Sequence, residues 1–259
     1  MGGNWQPPVV LSDAVDEALR PHVVPVAEGA AVSWIAYDTK NDSDISVRVF
    51  DGAAWGLETS LGVGVGWPYG PREVRLVPST PSGFTAVWFA HAPGEKGVDG
   101  ATVAAVTFDA GQPSPAVDLR GGATGVVKEL AVASSPGPAL ATWCGAGGCW
   151  LGSRGAAGWT SFVLGEVPAW AFPVVARDPR NNGLVGWLRS AADKTSLGFK
   201  RIRAGKVDGV APEAFSRLEK SAWYPALAMD PSGTALVAWT ENTPAPGITG
   251  GSLWVRVFE

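Results

Sequence analysis

Histidine and cysteine are scarce in this chain: its 259 residues include two of each. A structural zinc site needs four nitrogen or sulfur ligands. His22 and His91 stand far apart in sequence and there is no second cysteine pair, so no zinc site and no other metal site is expected. Charge is also sparse, on 17 % of residues, and neither sign dominates: 20 Lys and Arg face 24 Asp and Glu, for a net charge of −4. Nucleic-acid binders carry a basic excess, so nucleic acid is not an expected partner. No stretch is fit to cross a bilayer. The longest uncharged run, Leu130 to Ser153, is broken by Ser134, Ser135, Pro136, Gly137 and Pro138.

Signals for bound nucleotides and for helices are equally thin. Gly62-Val63-Gly64-Val65-Gly66 is glycine-rich, but no strand-to-helix context follows it. No phosphate loop, dinucleotide fingerprint or nucleophile elbow is present, and no cofactor is expected. Asp38, Asp42 and Asp44 match no defined calcium loop and read as a solvated turn. Ser12 to Arg20 and Pro212 to Lys220 are predicted as one or two helical turns each. The first residues match neither a signal peptide nor a myristoylation site, since Gln6 stands where Ser or Thr is needed. A leader removed upstream is compatible with this.

Glycine, proline and tryptophan are plentiful. Gly fills 34 positions, Pro 21 and Trp 13, and 46 % of residues are apolar. So many breakers exclude a helical protein, while the apolar share suffices for a core. One unit recurs: an apolar strand, a turn, a second apolar strand ending in Trp, a loop and a third strand. Its second strands end at Trp34, Trp88, Trp143, Trp187 and Trp239, so successive indoles stand 54, 55, 44 and 52 residues apart. That period suits the four-stranded blade of a β-propeller. These five tryptophans are read as wedge packing between blades, as are Trp5, Trp55 and Trp159.

The last unit is one strand short. Val47-Arg48-Val49-Phe50 is followed five residues later by Trp55. Val255-Arg256-Val257-Phe258, joined to the start of the chain without Met1, is followed five residues later by Trp5. Residues 4–11 are therefore expected to pair with 253–258 and to seal a ring. The expected fold is all-β: a single five-bladed β-propeller of four-stranded antiparallel blades. One domain, 1–259, is predicted, with blades at 21–62, 71–120, 127–165, 171–216 and 223–259 plus 4–11.

Residues 225–239 and 173–187 carry a turn of the form Pro-x-x-Ala-x-Asp-Pro, a glycine, and an apolar strand ending in Trp. This resembles repeats of secreted bacterial proteins, surface lipoproteins included. The five-bladed architecture is similar to tachylectin-type lectins, which implies binding of N-acetylated sugars at sites repeated around the ring. The Asp box of sialidases is not matched, because Gly233 and Trp239 are too far apart. Sialidase chemistry is not implied.

Candidate binding residues gather where one blade passes to the next. Trp67, Trp170 and Trp223 precede first strands, with Tyr69, Phe172 and Tyr224 beside them. Aligning the first strands puts Tyr224, Phe172, Glu129, Glu73 and Pro21 in one position. Trp223, Ala171, Lys128, Arg72 and Arg20 fill the position before it. Aromatic faces stack on the apolar C–H faces of sugars, and charged groups add directed hydrogen bonds. The expected function is non-enzymatic, lectin-like recognition of a saccharide or other hydroxylated ligand at this mouth. A protein-interaction domain is the second reading. The third is a carbohydrate-active hydrolase using Glu73 and Glu129 as its carboxylate pair. The bland alternative for this set is loop anchoring and ion pairing around a water-filled pore.

Cys144 and Cys149 flank a Gly-Ala-Gly-Gly turn and would face each other across a hairpin. A disulfide is expected, and with it a secreted, periplasmic or cell-surface location.

Overall fold

The computed structural model describes residues 7–12, 17–26, 29–37, 42–61, 65–66, 73–79, 83–91, 101–109, 111–119, 127–133, 135, 137–145, 147–165, 171–191, 194–209, 213–214, 216, 221–242 and 251–258. The described strands form five antiparallel sheets in chain order. The first holds β1 (Glu17–Val26), β2 (Gly29–Tyr37), β3 (Asp42–Phe50), β4 (Thr59–Ser60) and β5 (Val65–Gly66). The second holds β6 (Glu73–Pro78), β7 (Phe84–His91), β8 (Ala101–Asp109), β9 (Gln112–Pro113) and β10 (Val117–Asp118). The third holds β11 (Val127–Val132), β12 (Leu140–Gly145), β13 (Gly148–Gly155) and β14 (Gly158–Gly165). The fourth holds β15 (Val174–Arg177), β16 (Gly183–Ala191), β17 (Lys194–Arg203), β18 (Lys206–Val207) and β19 (Glu213–Ala214). The fifth holds β20 (Ser221–Met229), β21 (Ala235–Asn242) and β22 (Gly251–Phe258).

Each sheet is a meander whose turns are set by local chemistry. At Asp230-Pro231-Ser232-Gly233, Asp230 Oδ1 accepts the N–H groups of Ser232, Gly233 and Thr234 at 2.9, 3.0 and 2.9 Å. Gly233 takes φ 101° there, a conformation that favours glycine. The wider Asp178 turn repeats the device, with the Asn182 N–H donating to Asp178 Oδ1 at 2.8 Å. No helix occurs among the described residues. The predicted turn at Ser12 to Arg20 is corrected: Glu17 to Arg20 open β1, where Glu17, Ala18 and Leu19 pair with Tyr37, Ala36 and Ile35. Cross-strand pairing overrides helical propensity here. In the second predicted segment, Glu213–Ala214 is a short strand beside β17.

Packing is sheet on sheet. Four apolar clusters sit between consecutive sheets, first with second through fourth with fifth. Trp88, Trp143, Trp187 and Trp239 each enter the cluster shared with the preceding sheet. Gly152 makes room for one of them, since a Cβ there would stand 2.9 Å from the Trp143 ring. Trp34 is buried too, but belongs to none of the four clusters. Trp55 packs on Phe50, with ring centroids 5.2 Å apart, and Trp159 packs on the cluster between the second and third sheets. Trp5 lies outside the described residues.

The first strands β1, β6, β11, β15 and β20 touch in that order. Among the described residues β20 makes no comparable contact with β1. The expected pairing of 4–11 with 253–258 is not found among the described residues: Pro7–Leu11 form no strand, Asn4 to Gln6 lie outside the described residues, and β22 pairs there with β21 alone. The outward face of the fifth sheet is left open and apolar: Leu236, Leu253, Val255 and Val257 are all exposed.

Candidate functional site

The same irregularity occurs near the start of three first strands. Arg20, Phe172 and Tyr224 have φ of 53°, 42° and 52°, and each precedes a proline. Bulky side chains rarely take this region, and holding one there costs roughly 1–3 kcal/mol. The ladder slips at these points: between Leu19 and His22 in the first sheet and between Trp223 and Ala226 in the fifth. The third sheet slips between Val127 and Glu129. This revises the alignment of the first strands. The partner of Tyr224 and Phe172 in the first sheet is Arg20, not Pro21, because the bulge takes up both the left-handed residue and its proline.

The bulges aim side chains at one end of the sheets. Phe172 meets Trp223 at 6.4 Å and Tyr224 at 5.2 Å between ring centroids, both edge-on. Trp223 and Tyr224 stand 6.5 Å apart. Tyr224 is 66 % exposed despite these neighbours. Pairwise contacts link the described candidates: Arg20 acts on Glu73, Glu129 reaches Phe172, and Phe172 meets Trp223 and Tyr224. Trp67, Tyr69, Arg72 and Trp170 lie outside the described residues, as does the side chain of Lys128.

The polar members of the rim tie neighbouring sheets together. The Phe172 N–H donates to Glu129 Oε2. The Leu130 N–H donates to the Glu73 carboxylate, which also pairs with Arg75. Burial pushes the Glu73 carboxyl above its ordinary value, against the pull of Arg75, the Leu130 N–H and Arg20. In the first sheet His22 does the same work, its Nδ1 accepting the Leu76 N–H at 3.1 Å. Burial, then Arg75, holds the His22 imidazole below its usual range. Sequence reading missed this role, since a lone histidine carries no pattern of its own.

At the opposite end Arg177 is buried and donates to the carbonyls of Ser135 and Pro138. Burial lowers its guanidinium to about 10, with Asp178 opposing. Cys144 and Cys149 form the expected disulfide, as directly opposed residues of β12 and β13. Among the described residues no group of three or more His, Cys, Asp or Glu is placed to hold a metal ion. No helix among them is long and apolar enough to cross a membrane.

No protein-family model matches the chain, and no curated protein matches it in sequence. Solved structures do. A polysaccharide lyase of the PL25 ulvan lyase family, bound to -[GlcA(1-4)Rha3S]-, superposes with a TM-score of 0.53 at 12 % identity, covering 91 % of this chain and 67 % of that one. The polysaccharide lyase Uly1 gives a TM-score of 0.52 at 8 % identity, over 92 % of this chain. The chain spans 58 % of that enzyme's length. A protein of unknown function from Dyadobacter fermentans gives 0.50 at 14 % identity, over 97 % and 78 % of the two chains. Consecutive antiparallel sheets packed face to face, with their first strands touching in order, are the arrangement of a β-propeller, and these likenesses support that fold.

Proposed function

We propose that this protein is a non-enzymatic saccharide-recognition module that binds at the aromatic rim. The observation that carries the reading is the triad Phe172, Trp223 and Tyr224, with its two left-handed members and an exposed tyrosine. Strain repeated at equivalent points is a mark of a site built for contact. Tyr224 offers a face for a sugar ring, and Arg20 supplies hydrogen bonds at the same end of the sheets. Trp67, Tyr69, Arg72, Lys128 and Trp170 belong to the proposed set by their place in the repeat. The disulfide and the polysaccharide-lyase structural neighbours favour a location outside the cytoplasm.

The hydrolase reading is weaker. Glu73 and Glu129 each hold a backbone N–H of the next sheet, which makes them ring ties. A protein partner on the same rim is the remaining alternative.

The test is a glycan array read with the intact protein and with Tyr224→Ala. Glycan signal from the intact protein, reduced tenfold or more in the variant, is the expected result. Equal signal from both proteins removes Tyr224 from the site, and no signal at high concentration removes the reading.

We also propose that the chain forms one domain in which the first and fifth sheets close a five-bladed ring. The uncovered apolar face of the fifth sheet and the unextended edge of β22 favour this arrangement.

A further inference from the structure

A second concave site lies at the other end of the fourth and fifth sheets. β20 starts near the rim and ends at Met229, about 17 Å along the strand from Tyr224. Met229 and Phe258 form one wall of a cavity of about 330 Å³. Asn182, Arg201 and Arg203 line it from the side of the fourth sheet. A volume of this order suits a small ligand of one or two sugar rings.

The sequence concentrates charge here. Lys200-Arg201-Ile202-Arg203-Ala204-Gly205-Lys206 puts four cations in a short stretch of a chain whose net charge is −4. Strand alternation sorts them. Ile202 is buried against the third sheet, so Arg201 and Arg203 share the face turned to the fifth. The hairpin turn at Ala204 and Gly205 has φ of 48° and 78°, which keeps the two strands in tight register.

Both guanidiniums are held in place. Arg201 Cζ lies 4.5 Å over the centroid of the Phe258 ring, so its planar fork is held flat on the aromatic face. Arg203 Nε donates to Asp208 Oδ2 at 3.1 Å. Asn182 is fixed as well, its Oδ1 accepting the Ala204 N–H at 3.2 Å and its Nδ2 donating to Asp178 Oδ2 at 3.3 Å. The fork of Arg201, with the Asp208-paired and largely exposed Arg203 beside it and apolar Met229 nearby, matches a planar or tetrahedral oxyanion carried on a compact carbon ring.

We infer that this cleft binds the acidic group of an anionic saccharide, a uronate or a sulfated sugar. The inference deepens the saccharide reading but uses a different site, so the two fail separately. D-glucuronate, glucose 6-sulfate, glucose and inorganic sulfate are titrated into the isotope-labelled protein, and amide shifts are followed by NMR. The two acidic sugars are expected to move the amides of 201–205 and Gly233 together with the Asn182 side chain, and to bind at least tenfold more tightly than glucose. Arg201→Ala with Arg203→Ala removes that response, Arg201→Lys with Arg203→Lys restores it in part, and Tyr224→Ala leaves it unchanged. Glucose binding as tightly as glucuronate overturns the inference. So does inorganic sulfate binding as tightly as the sugars, or an alanine pair that is folded and still responds. An unchanged alanine pair beside a defective Tyr224→Ala leaves the rim site standing and this one refuted.

Discussion

Three side chains, one imidazole and two carboxylates, do one job along the first strands. His22, Glu73 and Glu129 each accept a backbone N–H from the following sheet. A buried N–H left unpaired costs about 1–3 kcal/mol, so each tie fixes how two first strands meet. Only the histidine must be neutral to accept through Nδ1. Burial and Arg75 hold its pKa below the ordinary 6.5, so the unfolded chain takes up a proton before the folded one does. The contribution to stability is therefore whole above the ordinary imidazole value and is lost as pH falls below it. Glu73 acts in the opposite sense, because its carboxyl is raised on folding: its share of stability falls as pH rises through the carboxyl range. Comparing His22→Asn with the parent isolates the imidazole, since Asn Oδ1 can take the place of Nδ1. In urea titrations from pH 7 to pH 5 the parent should lose stability relative to His22→Asn. One proton sets the limit on that slope at about 1.4 kcal/mol per pH unit. Parallel curves would show that the imidazole does not titrate on unfolding.

At the scale of elements, the repeat was legible because its strongest signals lie inside strands and in the tight turns that join them. The second-strand tryptophans, the Asp-Pro turns and the facing cysteines all survive in the structure as buried wedges, Asx-capped turns and a disulfide. What sequence reading misplaced lies where strands begin. A left-handed residue before proline has no residue-type signature, so Arg20 was set one place out of line with Tyr224. Asp16-Glu17-Ala18-Leu19-Arg20 has helical propensity, yet pairing with β2 decides its state. The ties between elements were equally hidden. Arg177 at the end of β15 holds the turn before β12 through two carbonyls, and Ser135 Oγ returns a hydrogen bond to the Arg177 carbonyl at 2.6 Å. Gly137 allows this, for a Cβ there would stand 2.9 Å from the guanidinium. Arg177→Met keeps the bulk but strands both carbonyls, at a cost of about 2–4 kcal/mol. A lower urea midpoint with an unchanged slope is the expected result. An unchanged midpoint would mean that water replaces the guanidinium without loss.

Across the whole molecule, the repeat itself says which face of the first sheet would meet the fifth. In sheets two to five the second-strand Trp packs toward the preceding sheet. By the same rule Trp34 faces the side on which the fifth sheet would stand, and Val23, on that face of β1, is exposed. The fifth sheet offers the complement. Ala228, Leu236 and Val257 lie in register across β20, β21 and β22, as do Ala226, Ala238 and Val255. Small residues line the inner strand and larger ones the outer, the gradation a wedge-shaped contact requires. Burying Leu236, Leu253, Val255 and Val257 would contribute several kcal/mol at about 25 cal/mol per Å². Val255→Asp separates a closed ring from an open one. If the face is covered, the carboxylate must be buried without a partner, and the stability loss exceeds about 3 kcal/mol. If the face is bare, the change stays within about 0.5 kcal/mol. Light scattering of the parent at rising concentration identifies the covering surface: a constant monomer mass assigns it to the first sheet of the same chain, whereas a growing mass assigns it to a second copy.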